Sequence, residues 1–165
     1  MIKPIAQSDL PDCLSLLAAG YEESAIRFGM TEANCPYRGR TRLPFSELEK
    51  EFLGGYQMYG YYCKDRLVGF LSLREEDDAL NIHDLVILPE YRRHGFGSEL
   101  IRFAKQKAGE HKHKKITLGM IDDNHELKQW YEKHGFQTVE RKQFDMVTYI
   151  VGKMEFISQE GGTNP

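Results

Sequence analysis

The central part of the chain, from Asn81 to Ile121, contains segments of different periodicity in immediate succession. An apolar run, "LVILPEY", is followed by "RRHGFGS", in which two glycines are separated by one residue. The next stretch, "ELIRFAKQKAGE", has apolar residues at helical spacing, and "KKITLGMI" alternates as a strand does. This pattern predicts a right-handed crossover between two parallel strands, with the glycines at the turn from strand to helix.

The segments on either side complete a mixed α/β domain. Periodicity and turn signals predict the order strand, two helices, three strands in a meander, helix, strand, helix and two strands. Outside the central unit, neighbouring strands are expected to be antiparallel. A chain of 165 residues is long enough to bury a core of its own. We predict one domain over residues 1–157 and a polar, flexible tail over residues 158–165.

Charge and composition argue against several classes of function. The chain has 22 basic and 25 acidic residues, and this balance is unlike that of a nucleic-acid-binding protein. No apolar run reaches membrane-spanning length, and the three cysteines form neither a zinc motif nor a disulfide framework. We therefore expect a cytoplasmic protein without a metal, nucleic-acid or membrane partner. The stretch "EHKHKK", residues 110–115, could suggest a metal or nucleic-acid site, but cations are also favoured at a helix C-terminus, which is the preferred interpretation.

The two central glycines indicate a site for an anion. The first amides of a helix lack internal partners, and the helix dipole places partial positive charge there. Gly95 and Gly97 allow close approach of a ligand, and Arg92 and Arg93 add charge. No Gly-Lys-Ser/Thr follows, which excludes a P-loop, and the third glycine of a dinucleotide fold is absent. A phosphate is the favoured guest, although a tight turn without a ligand would explain the glycines alone.

Two stretches together resemble motifs of the GNAT superfamily of N-acetyltransferases. The first is "RRHGFG", which is similar to the family's acyl-CoA motif after an apolar strand. The second is "NHELKQWYEKHGF", which has the family's Asn, Tyr and Gly-Phe, with Leu127 where Ala is frequent. The resemblance implies a mostly antiparallel central sheet with helices on both faces and one parallel strand-helix-strand unit. It also implies transfer of an acetyl group from acetyl-CoA to a primary amine, by direct attack in a ternary complex.

The resemblance further implies how acetyl-CoA, the co-substrate, would be held. The pyrophosphate would lie on the amides from about Arg93 to Ser98, and the pantetheine arm would pair with the strand that ends at Leu88. In the family this strand separates from the next one, and the thioester enters the gap. Asn124 would contact the pantetheine arm, cap its helix, or do both. The implied cofactor-binding residues are Val86, Ile87, Leu88, Arg92, Arg93, His94, Gly95, Phe96, Gly97, Ser98, Asn124 and Tyr131.

Two side chains are the catalytic candidates, Tyr131 and His83. Tyr131 would protonate the leaving thiolate, helped by a strong hydrogen bond or by a pKa lowered at the helix start; otherwise it only packs beside Trp130. His83 lies four residues before Ile87, so it shares a strand face with Ile87 if no bulge intervenes, and it would act as the base. An ordinary sheet histidine is the alternative. Backbone N–H near Val86 or Ile87 would stabilise the oxyanion, as it does in the family.

Several questions stay open at this point. Acidic residues 75–78 could serve as the base through water, although a solvated turn explains them as well. Arg38, Arg40 and Arg42 could bind an anionic group of the acceptor or be merely solvated. The acceptor is a small-molecule amine or an amine of a peptide or protein. The rival hypothesis is an inactive acyl-CoA-binding sensor or regulatory module. A homodimer is possible, since family members are often dimers.

Overall fold

The computed structural model describes residues 1–147 and 149–159. In chain order the elements are β1 (Ile2–Pro4), α1 (Leu10–Arg27), α2 (Phe45–Leu53), β2 (Gln57–Cys63), β3 (Arg66–Glu75), β4 (Ala79–Ile87), α3 (Phe96–Glu110), β5 (Lys115–Ile121), α4 (His125–Lys133), β6 (Gln137–Gln143) and β7 (Ile150–Ile157). This is the predicted order. The predicted tail lies largely outside the described residues, which include only its first two, Ser158 and Gln159.

The seven strands form one sheet in the order β1-β2-β3-β4-β5-β7-β6. Within the described sheet, β4 and β5 are the parallel pair, and the remaining neighbours are antiparallel. The predicted fold class, a mixed α/β domain with one parallel strand-helix-strand unit, is therefore confirmed. In the described part of the chain, none of the helices is both long and apolar enough to cross a bilayer.

Helices cover both faces of the sheet, because each helix has one apolar face to bury. On one face, Leu100, Ile101 and Ala104 of α3 pack with Leu80 of β4. On the other face, α1 and α2 cover a second group that includes Leu17, Leu48, Phe70 and Val86. The two cores hold the sheet from both sides, so the strands between them cannot shift register without exposing apolar side chains.

A β-bulge interrupts β4 at His83. Ser72 of β3 pairs with Asp84, but the next residue, Leu73, pairs with Ile82. The extra residue places the side chain of His83 on the α1–α2 face, where it contacts Glu51 of α2. His83 therefore does not share a strand face with Ile87, which packs in the core under α3. The shared face was expected only if no bulge intervened, and the bulge that is present changes the alternation of side chains along the strand.

The parallel pairing of β4 with β5 ends early. The last pair is Ile82 with Leu118, whereas β4 continues to Ile87 and β5 to Ile121. Beyond Ile82 the two strands therefore diverge, as the sequence analysis expected. The backbone groups of β4 that point away from β3 face this gap instead of another strand.

Candidate active site

A cavity of about 250 Å³ occupies the gap between β4 and β5; we call it the cleft. Its walls come from five parts of the chain, so the fold, rather than any single segment, creates it. The lining residues are Tyr21 and Ser24 of α1, Met30, Gly39 and Arg40 of the following loop, Ile82 to Leu85 of β4, Leu118 to Ile121 of β5, Asn124, and Leu127 and Tyr131 of α4. The two catalytic candidates, His83 and Tyr131, thus line one cavity.

The start of α3 presents an uncommon row of free donors. Within residues 1–147 and 149–159, none of the six backbone amides from Arg93 to Ser98 donates a hydrogen bond. The first bond of α3 runs from the Glu99 amide to the Gly95 carbonyl, at 3.1 Å. Arg93 and Gly95 have φ angles of +63° and +82°, so the loop turns in the left-handed region where glycine is favoured. We call residues 93–98 the cradle, since free amides at a helix N-terminus can hold a phosphate.

The Arg92 and His94 side chains around the cradle already form hydrogen bonds with other parts of the protein. The Arg92 guanidinium donates to the carbonyls of Gly20, at 2.9 Å, and Ile87, at 3.2 Å, and it pairs with Glu23. Arg92 therefore links α1 to the end of β4, and its positive charge is paired with the Glu23 carboxylate. The His94 imidazole bonds the Arg92 carbonyl at 2.8 Å and stacks on Phe96.

Ser98 connects the cradle to α4. The His134 Nδ1–H donates to the Trp130 carbonyl at 2.7 Å, since a carbonyl can only accept. The His134 Nε2 then accepts from the Ser98 hydroxyl at 3.0 Å. A Cβ at Gly97 would lie 3.1 Å from the Trp130 ring. Gly97 thus allows α4 to pack closely against the cradle, in addition to the close approach of a ligand expected from the sequence.

Asn124 begins α4 and also lines the cleft. Its Oδ1 accepts from the Leu127 amide at 3.3 Å, which makes Asn124 the N-cap. Its side-chain amide N–H groups have no partner among the described residues and are available to a ligand in the cleft. The cap and the expected ligand contact are therefore compatible, because they use different atoms of one side chain.

Tyr131 lies near the end of α4, with only 6% of its surface exposed. Its ring packs against Trp130 and Phe136, and its hydroxyl has no hydrogen-bond partner in the described part of the chain. Burial raises the pKa of Tyr131 above its usual value. A pKa lowered by the helix start, one of the two possibilities considered above, is therefore wrong. The hydroxyl stays protonated over the working pH range and can donate a hydrogen bond into the cleft.

A buried polar network, unrecognised in the sequence, surrounds His83. Arg40 lies at its centre and binds Glu51 through two bonds of 2.9 Å and Asp84 at 2.8 Å. The Tyr21 hydroxyl donates to Asp84 at 3.1 Å, and the His83 Nε2 donates to Glu51 at 3.3 Å. We call these five residues the cleft network. Its least expected member is Asp84, a carboxylate that is fully buried within β4.

Burial and charge set the protonation of the cleft network. Burial raises the pKa of Asp84, against the opposing effect of Arg40. Burial would also raise the pKa of Glu51, but hydrogen bonds from His83 and Arg40 outweigh it and lower that pKa to about 2. Burial, followed by the Asp84 charge, raises the pKa of Tyr21. Glu51 is therefore a fixed anion at neutral pH, and Tyr21 a fixed hydrogen-bond donor.

Other predicted groups are not near the cleft or are already paired. The acidic residues 75–78 do not line the cleft; Glu76, for example, pairs with Arg74 at 2.8 Å. Arg38 pairs with Glu22 at 2.7 Å and Arg40 with Glu51 at 2.9 Å, so both guanidinium groups already have a carboxylate partner. Arg42 is exposed. The carboxylates that are close to His83 are those of Glu51 and Asp84.

Comparison with known proteins identifies the fold. Residues 26–136 match the model of the acetyltransferase (GNAT) family. The chain superposes on the ribosomal-protein-S18-alanine N-acetyltransferase from Escherichia coli with a TM-score of 0.77 and 14% identity, covering 100% of this chain and 97% of that one. For a GCN5-related N-acetyltransferase from Rhodopseudomonas palustris the TM-score is 0.78 at 17% identity, with 96% and 95% covered.

A third structure carries a ligand. The PaiA N-acetyltransferase from Thermoplasma acidophilum, solved in complex with coenzyme A, has a TM-score of 0.69 and 18% identity, with 96% of this chain and 98% of that one covered. At such identities the likeness concerns the fold alone. The family match, by contrast, covers more than half of the chain and includes both motifs recognised in the sequence. The chain belongs to the GNAT family of acetyltransferases.

Proposed function

We propose that this protein transfers an acetyl group from acetyl-CoA to a primary amine, by direct attack in a ternary complex. The observation that carries the proposal is a gap beside β4 lined by both Tyr131 and His83, on a strand that is followed in the chain by the free amides of the cradle. Acetyl-CoA supplies an acetyl thioester, whose carbonyl carbon bonds to the amine nitrogen while the C–S bond breaks and a thiolate leaves. The cradle amides fit its pyrophosphate, since they are free donors at a helix start.

The free edge of β4 fits the rest of the co-substrate. Beyond Ile82 this strand pairs with β3 but not with β5, so an extended pantetheine arm can occupy the missing strand position. The N–H of Ile87 would then donate to the oxyanion that develops on the thioester carbonyl. The Val86 amide faces β3, because the Leu88 amide donates to Val68 of β3 and amides alternate in direction along a strand. Asn124 would donate its free side-chain amide to the same arm.

His83 would act as the base, positioned by Glu51. A carboxylate can only accept, so the His83 Nε2 carries the proton in this contact, and the Nδ1 lone pair is left for the amine proton. Because alkyl ammonium groups have a pKa of ~10.4, the amine must lose a proton before it attacks. Asp84 is the second candidate base, because burial raises its pKa and so makes it a stronger base than an ordinary carboxylate.

Tyr131 would serve the leaving group. Its raised pKa keeps the phenol protonated, so it donates a hydrogen bond to the developing thiolate rather than ionising first. The acceptor amine would approach from the side of the α1–α2 loop, where Tyr21 and Arg40 line the cleft. Two similar structures are ribosomal-protein-alanine N-acetyltransferases, so an alanine of a protein is one class of acceptor to test, alongside small-molecule amines.

The test is release of free thiol from acetyl-CoA in the presence of polyamines, aminoglycosides, amino acids or peptides. We expect release that depends on one class of amine and that is accompanied by the acetylated amine in equal amount. An inactive acyl-CoA sensor, the rival hypothesis, predicts binding of acetyl-CoA without thiol release for the whole panel. Stabilisation by acetyl-CoA alone does not separate the two, since both bind the co-substrate.

A further inference from the structure

Three possible metal ligands converge at the far end of the sheet from the cradle. His111 Nδ1 lies 2.5 Å and His113 Nε2 4.0 Å from the Glu75 Oε1 atom. All three ligand atoms lie within 4.8 Å of one another. His111 and His113 come from the basic stretch "EHKHKK", whereas nothing in the sequence points to Glu75, which is 36 residues away from His111.

The backbone of the turn between α3 and β5 places the His111 and His113 side chains on the same side of that turn. They flank Lys112, which has a φ angle of +60° in the turn between α3 and β5. The two rings lie 6.4 Å apart and are nearly parallel, with 17° between their planes. Glu75 ends β3 and pairs with Leu80 of β4, and Leu80 pairs with Ile116 of β5. One strand, β4, therefore lies between Glu75 and the turn. The side chain of Glu75 reaches past β4 to the two histidines.

We propose that Glu75, His111 and His113 bind a divalent transition-metal ion of the Zn²⁺ class. Two imidazoles and one carboxylate suit Zn²⁺, Ni²⁺ or Cu²⁺, whereas Mg²⁺ and Ca²⁺ prefer oxygen ligands. Ligand atoms around one tetrahedral Zn²⁺ lie about 3.4 Å apart, as follows from bond lengths near 2.1 Å. The two distances from Glu75 must therefore change by less than about 1 Å each, and water would complete the coordination.

The surroundings permit this adjustment. The side chains of Glu75 and His111 are 51% and 36% exposed, so both can rotate and an ion can reach them from solvent. The ammonium group of the nearby Lys115 pairs with Asp78 at 3.1 Å, which reduces its repulsion of a cation. The ion would join the end of β3 to the turn between α3 and β5, and none of its ligands lines the cleft.

A second group of possible ligands, Glu51, His83 and Asp84, does not fit a metal equally well. The guanidinium of Arg40 already pairs with the carboxylates of Glu51 and Asp84, so a positive charge occupies the place that a metal ion would take. The two groups share no residue, so they can be tested separately. The inference reverses the expectation from sequence that the chain binds no metal.

The experiment is calorimetric titration of the full chain, free of any histidine tag and cleared of metal with a chelator, with ZnCl₂ and with MgCl₂. We expect one Zn²⁺ per chain, no binding of Mg²⁺, and a rise in melting temperature with Zn²⁺. The double variant His111→Ala/His113→Ala should bind Zn²⁺ at least about tenfold more weakly. Glu75→Gln, which keeps the side-chain size, should also weaken binding.

Two variants serve as controls. His125→Ala removes an exposed histidine of α4, and His83→Ala removes the histidine of the cleft network; both should bind Zn²⁺ as the wild type does. Circular dichroism of each metal-free variant shows whether it folds. Absence of Zn²⁺ binding by the wild type, binding that is unchanged in the folded double variant, or binding that is lost in His83→Ala would each overturn the proposal.

Discussion

Tyr131 offers the most direct test at the scale of a single residue. Tyr131→Phe keeps the ring that packs against Trp130 and Phe136 and removes only the hydroxyl, which has no partner among the described residues. Stability and affinity for acetyl-CoA should therefore change little. Turnover should fall by ~10²–10⁴, the usual effect of losing a general acid. Steady-state kinetics, together with calorimetry of acetyl-CoA binding, measures both.

The same variant tests whether the Tyr131 hydroxyl assists the leaving thiolate. If it assists the leaving thiolate, the loss of turnover should shrink with a thioester whose thiol leaves more easily. Tyr149→Phe is a matched control, because that hydroxyl bonds Cys35 and does not line the cleft. Near-normal turnover of Tyr131→Phe with acetyl-CoA, while chemistry limits the rate, would exclude the general-acid role.

His83 should control the acid side of the pH–rate profile. If its Nδ1 accepts the amine proton, His83→Gln lowers turnover and removes the limb at which activity falls as pH decreases. Rates measured across the pH range with a saturating amine check this, and His125→Gln is the control. A limb that survives in His83→Gln would assign the base to Asp84. Glu51 is a poor candidate, because its pKa of about 2 makes it a weak base.

Glu51 contributes stability that depends on pH. The pKa of its carboxyl is lowered from 4.5 to about 2 in the folded chain, so the folded state binds a proton less readily than the unfolded state. This stabilisation is present above about pH 4.5 and is lost as the pH falls towards 2. At about 1.4 kcal/mol per unit of pKa, it amounts to roughly 3 kcal/mol.

Urea unfolding of the wild type and of Glu51→Gln between pH 7 and pH 3 tests this contribution. The difference in free energy of unfolding between the two should be largest at pH 7 and should shrink as the pH falls below about 4.5. Glu132→Gln, a change at an exposed residue of α4, provides the baseline. A difference that stays constant with pH would mean that Glu51 is not an ionised partner of Arg40.

At the scale of elements, the role of the first turn of α3 in acetyl-CoA binding can be tested by comparing it with the last turn of the same helix. Gly97→Val places a side chain at the cradle, where Cβ would lie 3.1 Å from Trp130, so affinity for acetyl-CoA should fall by more than about tenfold. Gly109→Val makes the same change near the end of α3, where nothing lies within 4 Å of an added Cβ. Its affinity should match the wild type.

Calorimetry with acetyl-CoA and melting curves by circular dichroism are the measurements for this pair. An added Cβ at Gly97 requires the Trp130 ring to move by a few tenths of an ångström, and the melting curves show whether each valine variant remains folded. Equal affinity of Gly97→Val and the wild type would show that the cradle does not hold the pyrophosphate.

Helices and strands could be predicted from the sequence where the spacing of apolar residues within one segment is sufficient. The buried residues of α3, Leu100, Ile101, Ala104 and Ala108, are those that helical spacing predicts. The bulge at His83 was not predictable, because it exists only in the register between β3 and β4. The N-cap of α4 is Asn124, one of the roles that the sequence allowed for it, and its side chain accepts from the Leu127 amide.

At the scale of the whole molecule, the fold class could be predicted and the cleft network could not. Element order and the two motifs specify a mixed sheet with one parallel pair. The contacts of Arg40 with Asp84 and Glu51 depend on three segments that meet only after the sheet and both helix layers have formed. The insertion of β7 between β5 and β6 is likewise a property of the sheet as a whole, with no local signal.

The close packing of Trp130 against Gly97 has a practical consequence. Trp130 is the chain's single tryptophan, so all indole fluorescence comes from one ring that lies beside the cradle. A nucleotide that settles on those amides would alter the emission of this ring without any label. The fold thus places a natural optical reporter next to the amides that we expect to receive the co-substrate.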